Sequence, residues 1–132
     1  NLQPTNSKNY VLFASGSGIT PIFSLVKAIL NAEPESNVTL FYGNKRFGTI
    51  IFREELEALK NEHLDKFTLT HVLSRENLGN QIQKGRIDAA KCVELNQAFL
   101  KDISVDEVFV CGPEGMIFAV KETFEGIGLK KG

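Results

Sequence analysis

Val11-Leu12-Phe13-Ala14-Ser15-Gly16-Ser17-Gly18-Ile19-Thr20-Pro21 is the stretch whose reading decides the fold. Tyr10 to Phe13 is a short apolar run with a β-branched residue and two aromatics, which is the pattern of a buried strand. The chain then breaks at Gly16-Ser17-Gly18 and resumes as a helix, with Thr20 the expected N-cap and Pro21 the expected first helical residue. Strand, glycine turn and helix N-terminus together suit a phosphate. Glycines let the backbone approach the ligand, and the first amides and dipole of the helix favour an anion. The spacing is G-x-G-x-x-P, not the commoner G-x-G-x-x-G. Alone, such a turn reads as an ordinary tight turn; its flanking strand and helix make it a candidate site.

Outward from this stretch, the chain alternates strands and helices. The helix from Pro21 to about Leu30 is apolar around much of its circumference, as expected for a helix packed on a sheet. Val38 to Tyr42 predicts a second strand ended by Gly43-Asn44, and Thr49 to Lys60 a helix with Phe52, Leu56 and Leu59 on one face. Phe67 to Leu73 predicts a third strand, and Ser74 to Gly85 a polar loop. Asp88 is placed to cap a helix running to Leu100. Val108 to Cys111 predicts a fourth strand, broken by Gly112-Pro113, and a last helix runs from about Pro113 to Glu125. Asn1 to Asn9 is polar and aperiodic, a tail or the end of a linker, so the domain proper spans 10–132. This alternation implies βα units: a doubly wound, Rossmann-like α/β domain, three layers αβα, its four parallel strands centred on the glycine-turn strand. Ligands of such sheets bind at the carboxyl ends of the strands, where the winding reverses. Those ends are Ser15 to Gly18, Gly43-Asn44, Ser74-Arg75 and Cys111-Gly112-Pro113.

Composition narrows the function classes. At 132 residues the chain suits one domain, and 42% hydrophobic with 23% charged residues is ordinary for a globular protein. A net charge of −1 gives no electrostatic case for nucleic acid or an anionic membrane. No apolar run is long enough to span a bilayer, and no signal-peptide pattern opens the chain. Cys92 and Cys111 have no metal-ligand spacing, so no metal site is expected; two free thiols suggest a reducing, cytoplasmic setting. A start at Asn1 without methionine suggests a piece of a longer protein.

Gly16-Ser17-Gly18-Ile19-Thr20-Pro21 after a strand, Phe41-Tyr42-Gly43-Asn44 after the next, Leu73-Ser74-Arg75-Glu76 after the third and Val110-Cys111-Gly112-Pro113-Glu114-Gly115-Met116 after the fourth carry a resemblance. In that order they resemble the nicotinamide-binding domain of the ferredoxin–NADP reductase family. Ser74-Arg75-Glu76 followed by Gly85-Arg86-Ile87-Asp88 also resembles, within that family, the reductases of the phenylacetyl-CoA oxygenase system.

The resemblance implies a role for each motif. Gly16, Ser17, Gly18, Ile19 and Thr20 would hold the pyrophosphate of NADPH or NADH, with Thr20 and Pro21 near the nicotinamide. Ser74 and Arg75 would meet the 2′-phosphate. By their own chemistry Lys84 and Arg86 read first as surface charges, and either could assist a phosphate. Cys111 would stand where the nicotinamide meets the flavin, with Gly112, Pro113 and Met116 as the wall beside it. The chemistry of the residues agrees in part: a guanidinium offers fixed donors to a phosphate, and a small soft thiol can abut stacked rings. The plainer readings are a solvated Arg75, a core Cys111 and a core Met116. His63 and His71 have no partner in the sequence.

By the same resemblance, a flavin domain binding FAD would precede this stretch, and a ferredoxin-like domain or oxygenase component would receive the electrons. The chain by itself is expected to bind no FAD and to be inactive. The family's final edge strand is expected to be missing, since the chain stops at Lys130-Lys131-Gly132. The rival readings are a non-catalytic nucleotide-binding or regulatory α/β domain and a flavodoxin-type module holding a mononucleotide. NADPH is favoured over NADH because no acidic residue follows the second strand, where Gly43-Asn44-Lys45-Arg46 stands.

Overall fold

The computed structural model describes residues 2–76, 78–79, 81–124 and, by their backbone, 128–131. Strands β1 (Asn9–Ser15), β2 (Asn37–Asn44), β3 (Phe67–Leu73), β4 (Glu107–Cys111) and β5 (Gly128–Lys131) alternate with helices α1 (Ile19–Ala32), α2 (Arg53–Glu62), α3 (Ala89–Phe99) and α4 (Glu114–Thr123). The strands form one parallel sheet in the order β3-β2-β1-β4-β5. The chain winds outward from β1 to β3, then crosses back to β4 on the other side of β1. This is the expected doubly wound sheet with the glycine-turn strand at its centre.

The burial of β1 explains why its sequence reads as an unbroken apolar run. Tyr10, Leu12 and Ala14 face one side of the sheet, with Ile22, Val26 and Ile29 of α1 and Leu56 of α2. Val11 and Phe13 face the other, with Leu95 of α3 and Val120 and Phe124 of α4. Parallel strands covered on both faces lose the polar alternation of a half-exposed strand. Each large side chain buried here contributes about 1.5–3 kcal/mol. The Phe13 ring also meets the rings of Phe41 and Phe124, at centroid distances of 5.2 and 5.7 Å. Among the described residues no helix is long and apolar enough to cross a membrane.

Four boundaries differ from the sequence reading. Helix α1 starts at Ile19 rather than Pro21, and Thr20 is not its cap. Gly16–Gly18 already coils as a 3-10 turn, and the Ile19 N–H donates to the carbonyls of Gly16 and Ser17, so the helix grows directly out of the turn. Pro21 therefore falls within the first helical turn, where its missing N–H costs nothing. Helix α2 starts at Arg53 rather than Thr49. Phe47–Thr49 closes a separate 3-10 turn, and Phe52 adopts a left-handed φ of 61° while its ring stacks on Phe23 at 4.6 Å. Tertiary stacking there outweighs helical periodicity.

The last helix ends at Thr123, while Glu125, where its end was expected, lies outside the described residues. The fourth difference is a correction at the edge: a fifth strand pairs with β4, in register from Glu107 with Gly128 to Val110 with Lys131. Gly128-Leu129-Lys130-Lys131 carries neither an apolar run nor an alternation. Its strand character comes from backbone pairing at a sheet edge, where charged residues are tolerated.

The polar N-terminal segment lies along the amino edge of the sheet. The Gln3 N–H and the Asn6 amide donate to Glu33 at 3.0 and 2.8 Å, and the Lys8 N–H donates to the Ser36 hydroxyl at 3.0 Å.

Candidate functional site

The winding reverses between β1 and β4, which are neighbours in the sheet. A cavity of about 750 Å³ opens over the carboxyl ends of the strands beside this point. It is lined by Ser15 and Gly16 at the end of β1, Gly43 to Lys45 at the end of β2, Ser74 and Gly85 to Asp88 after β3, and Pro113, Gly115 and Met116 after β4. Thr49, from the 3-10 turn after β2, completes the lining. All four strand ends picked out in the sequence therefore contribute to one cavity.

The two glycines of the turn do different things. Gly16 has φ 55°, and no atom lies within 4 Å of where its Cβ would stand. Its backbone faces open space at the cavity wall. A Cβ on Gly18 would instead collide with the carbonyl oxygen of Cys111 and stand 2.8 Å from the carbonyl carbon. Gly18 thus seats the turn directly on the end of β4, and only a missing side chain permits that approach. Across the switch point, buried Met116 covers Gly112, its terminal methyl 2.6 Å from where a Gly112 Cβ would be.

The charged groups around the cavity are unevenly committed. Asp88 caps α3, accepting the Lys91 N–H at 2.9 Å, as its sequence position predicts. Lys45 and Arg86 are exposed at the rim, and among the described residues neither is paired with a carboxylate. Such side chains can turn toward an anionic ligand without breaking an existing ion pair.

Of the candidate residues from the sequence, Gly16, Ser74, Arg86, Pro113 and Met116 come together around the cavity. Ser17, Thr20 and Pro21 are exposed in the turn and first helical turn, while Ile19, the first residue of α1, is buried. Cys111 is half-buried at the end of β4; its carbonyl lies under Gly18, and its side chain packs with the apolar cluster beneath α1. Gly112 lies beneath Met116. Arg75 is exposed and outside the lining, with its N–H bonded to the Lys45 carbonyl at 2.8 Å.

Sequence reasoning did not single out Lys45, Thr49, Gly85, Ile87 or Gly115 as site residues. Lys45 follows a flagged strand end and was visible only as a position without an acid. Ile87, named in the sequence only as part of a motif, is core; it also packs its Cδ1 3.2 Å from where a Gly43 Cβ would stand, closing the cavity floor.

The family model for the oxidoreductase NAD-binding domain matches residues 12–122. The chain belongs to that family. It is the domain resembled at sequence level, the nicotinamide-binding domain of ferredoxin–NADP reductase-type proteins. One of the subunits of the 1,2-phenylacetyl-CoA epoxidase of Escherichia coli is 33% identical over 127 residues, which is 96% of this chain and 36% of that protein. Among solved structures, the CS-b5R domains of human Ncb5or in an NAD+ form superpose with a TM-score of 0.78 at 26% identity, covering 94% of this chain and 36% of that one. Ferredoxin–NADP+ reductase of Plasmodium falciparum shares the fold, with a TM-score of 0.72 at 16% identity over 96% of this chain and 53% of that one. The chain thus spans between a third and about half the length of these relatives. Relatives of this domain are NAD(P)H-dependent oxidoreductases.

Proposed function

We propose that this domain binds NADPH in preference to NADH, as the dinucleotide half of a flavoprotein reductase that passes hydride to FAD and electrons onward singly. The observation that carries the reading is the cavity at the switch point. It joins the backbone of Gly16 on one side to Ser74, Lys45 and Arg86 on another. A pyrophosphate at the turn would gain from the helix N-terminus. The adenosine end would then reach the β2 and β3 ends, where a hydroxyl and two cations suit a 2′-phosphate. Arg86 and Lys45 take that role in our reading, because they line the cavity, and Arg75 does not. The nicotinamide end would lie toward β4, with Cys111 and Thr20 orienting the ring and Pro113 and Met116 walling it. The flavin and nicotinamide supply the redox chemistry, and the protein supplies orientation. An oxygenase-type acceptor reached through an iron–sulfur centre is supported by the E. coli relative, named as part of an epoxidase. A cytoplasmic setting, in keeping with two free cysteines, is part of the same proposal.

Calorimetry with both dinucleotides at fixed salt tests the assignment, because an exposed contact is screened. Hydrogen bonds to charged groups contribute about 1.5–3 kcal/mol, and exposure pulls Arg86 to the low end of that range. At about 1.4 kcal/mol per decade, Arg86→Ala should weaken NADPH binding roughly tenfold. NADH binding should change by less than about twofold, and Arg75→Ala should leave both nearly unchanged. If Arg86→Ala weakens both dinucleotides alike, or neither, Arg86 does not read the phosphate.

A further inference from the structure

Lys91, in the first turn of α3, is placed unlike an ordinary surface lysine. Its side chain is only 11% exposed. Its ammonium donates to the carbonyl oxygens of Ile82 at 3.1 Å and Gln81 at 3.3 Å, and to Glu94 Oε1 at 2.6 Å. Lysine stems usually lie along the surface and leave the ammonium in water. Here the ammonium is withdrawn from water and shared between Glu94 and two backbone carbonyls of the segment between β3 and α3.

That segment presents Gly85, Arg86, Ile87 and Asp88 to the cavity. It is held on two sides. On the sheet side, the Gly85 N–H donates to the Leu73 carbonyl at 2.9 Å, Lys84 bridges to Leu73, and the Gln83 amide donates to the His71 carbonyl at 3.2 Å. On the helix side stands Lys91, whose N–H is also the one capped by Asp88. Its stem passes 3.9 Å from where a Gly85 Cβ would stand, where Gly85 turns with φ 108°. Lys91 itself is not part of the cavity lining.

We propose that Lys91 is a positioning residue for the dinucleotide site: by tying the carbonyls of Gln81 and Ile82 to α3, it fixes where Arg86 stands and thereby sets discrimination for a 2′-phosphorylated dinucleotide. The inference rests on the reading of Arg86 as the phosphate contact. It adds that the selectivity is set from behind the loop, by a residue that touches no ligand.

The test is a double-mutant cycle in this protein, read as the ratio of NADPH to NADH affinity by calorimetry. A general loss of packing would lower both affinities together and leave the ratio alone. Lys91→Met keeps the apolar stem and removes the donors; it should lower the ratio about three- to fivefold. In an Arg86→Ala background the same change should leave the ratio within twofold, because the group it positions is gone. Lys91→Arg, which keeps a charge and donors, should retain more of the ratio than Lys91→Met. Glu94→Gln, which removes only the more exposed partner, should leave it unchanged. An unchanged ratio in Lys91→Met overturns the proposal, as does an equal fall in the Arg86→Ala background. If Arg86→Ala alone leaves the ratio untouched, the phosphate assignment itself fails, and the proposal with it. Should Lys91→Met not fold, Lys91→Gln is read by the same criteria.

Discussion

The two ends of the sheet treat polar groups in opposite ways. At the amino edge they are spent on one another. Glu33, only 1% exposed, accepts hydrogen bonds from the Tyr10 hydroxyl at 2.7 Å, the Ser36 hydroxyl and the Asn6 amide at 2.8 Å, and the Gln3 N–H at 3.0 Å. Lys8 pairs with Glu107 at 2.7 Å, and the Asn9 N–H donates to Asp106 at 2.7 Å. At the carboxyl edge the Gly16 backbone faces open space, and Lys45 and Arg86 stand at the cavity without a carboxylate partner among the described residues. One end is closed chemistry that holds the chain together. The other keeps its donors available. The contrast marks out the candidate site more sharply than any single motif, because the same residue types occur at both ends.

The largest expected effect breaks the carboxyl end. Gly18→Ala drives a Cβ into the Cys111 carbonyl, and the obstacle is backbone, which no rotamer change relieves. Overpacking of this kind costs roughly 1–3 kcal/mol, and Gly18 belongs at the top of that range. The turn must lift off β4, so dinucleotide affinity should fall by more than tenfold. Gly16→Ala meets no neighbour within 4 Å. It carries only the left-handed backbone penalty of about 1–2 kcal/mol. Urea unfolding and calorimetry on both variants check the order. A Gly18→Ala protein as stable as Gly16→Ala, with wild-type affinity, contradicts the seating role assigned to Gly18.

The next effect breaks the amino end and should leave the site alone. Burial pushes the Glu33 carboxyl up, but the bonds from Tyr10, Asn6, Ser36 and Gln3 together outweigh it and pull its pKa from 4.5 down to about 2. A carboxyl with a depressed folded pKa stabilises the fold in full above its unfolded value. That contribution is lost as pH falls through the window from about 4.5 to about 2. Glu33→Gln turns one acceptor into a donor facing other donors, at a cost of about 2 kcal/mol at neutral pH. It should also flatten the decline in stability between pH 4.5 and 2 relative to wild type. Urea midpoints at several pH values measure both. Dinucleotide affinity at neutral pH should stay within twofold of wild type. A tenfold loss would mean that the two ends are coupled rather than divided in labour.

How far the sequence could be read follows the same division. The central strand, the winding and Asp88 as a helix cap are legible because each rests on local pattern: an unbroken apolar run, alternation of elements, a capping residue at a helix start. The glycine turn is legible as a turn. That Gly18 is pressed on Cys111 depends on β4 arriving from ninety residues downstream, and no local pattern carries it. Arg75 draws notice by following the third strand. Lys45 stands at the cavity as the residue after β2, and Arg86 reaches it because the segment after β3 folds back along the sheet edge, through the Leu73 contacts and Lys91. Strand β5 escapes notice because backbone pairing, not side-chain pattern, makes it a strand.

The smallest effect sharpens the comparison at a residue that belongs to neither end. Both ring nitrogens of His71 are buried without a hydrogen-bond partner among the described residues. By the rule that open polar groups mark the site, His71 would be a site residue. It lies instead on β3, its ring 5.8 Å from that of Tyr42 and its Nε2 3.9 Å from Glu57 of α2, and it is absent from the cavity lining. The rule therefore needs its second condition, that the open group reach the cavity. Burial lowers the His71 pKa from 6.5; Glu57 opposes the shift, and Lys60 and Arg53 add to it. The unfolded chain takes up a proton below pH 6.5 that the folded chain resists. Stability from this residue is therefore complete above pH 6.5 and declines as pH falls below it. His71→Phe removes the titration and two unsatisfied nitrogens while keeping a ring beside Tyr42. Its stability at pH 7.5 should lie within about 1 kcal/mol of wild type, its slope between pH 6.5 and 5 should be shallower, and its affinity for NADPH should be unchanged. A wild-type slope would show that burial does not hold this ring neutral. A lost affinity would make His71 part of the site after all, and the carboxyl edge would have to be redrawn to include the face of β3 under α2.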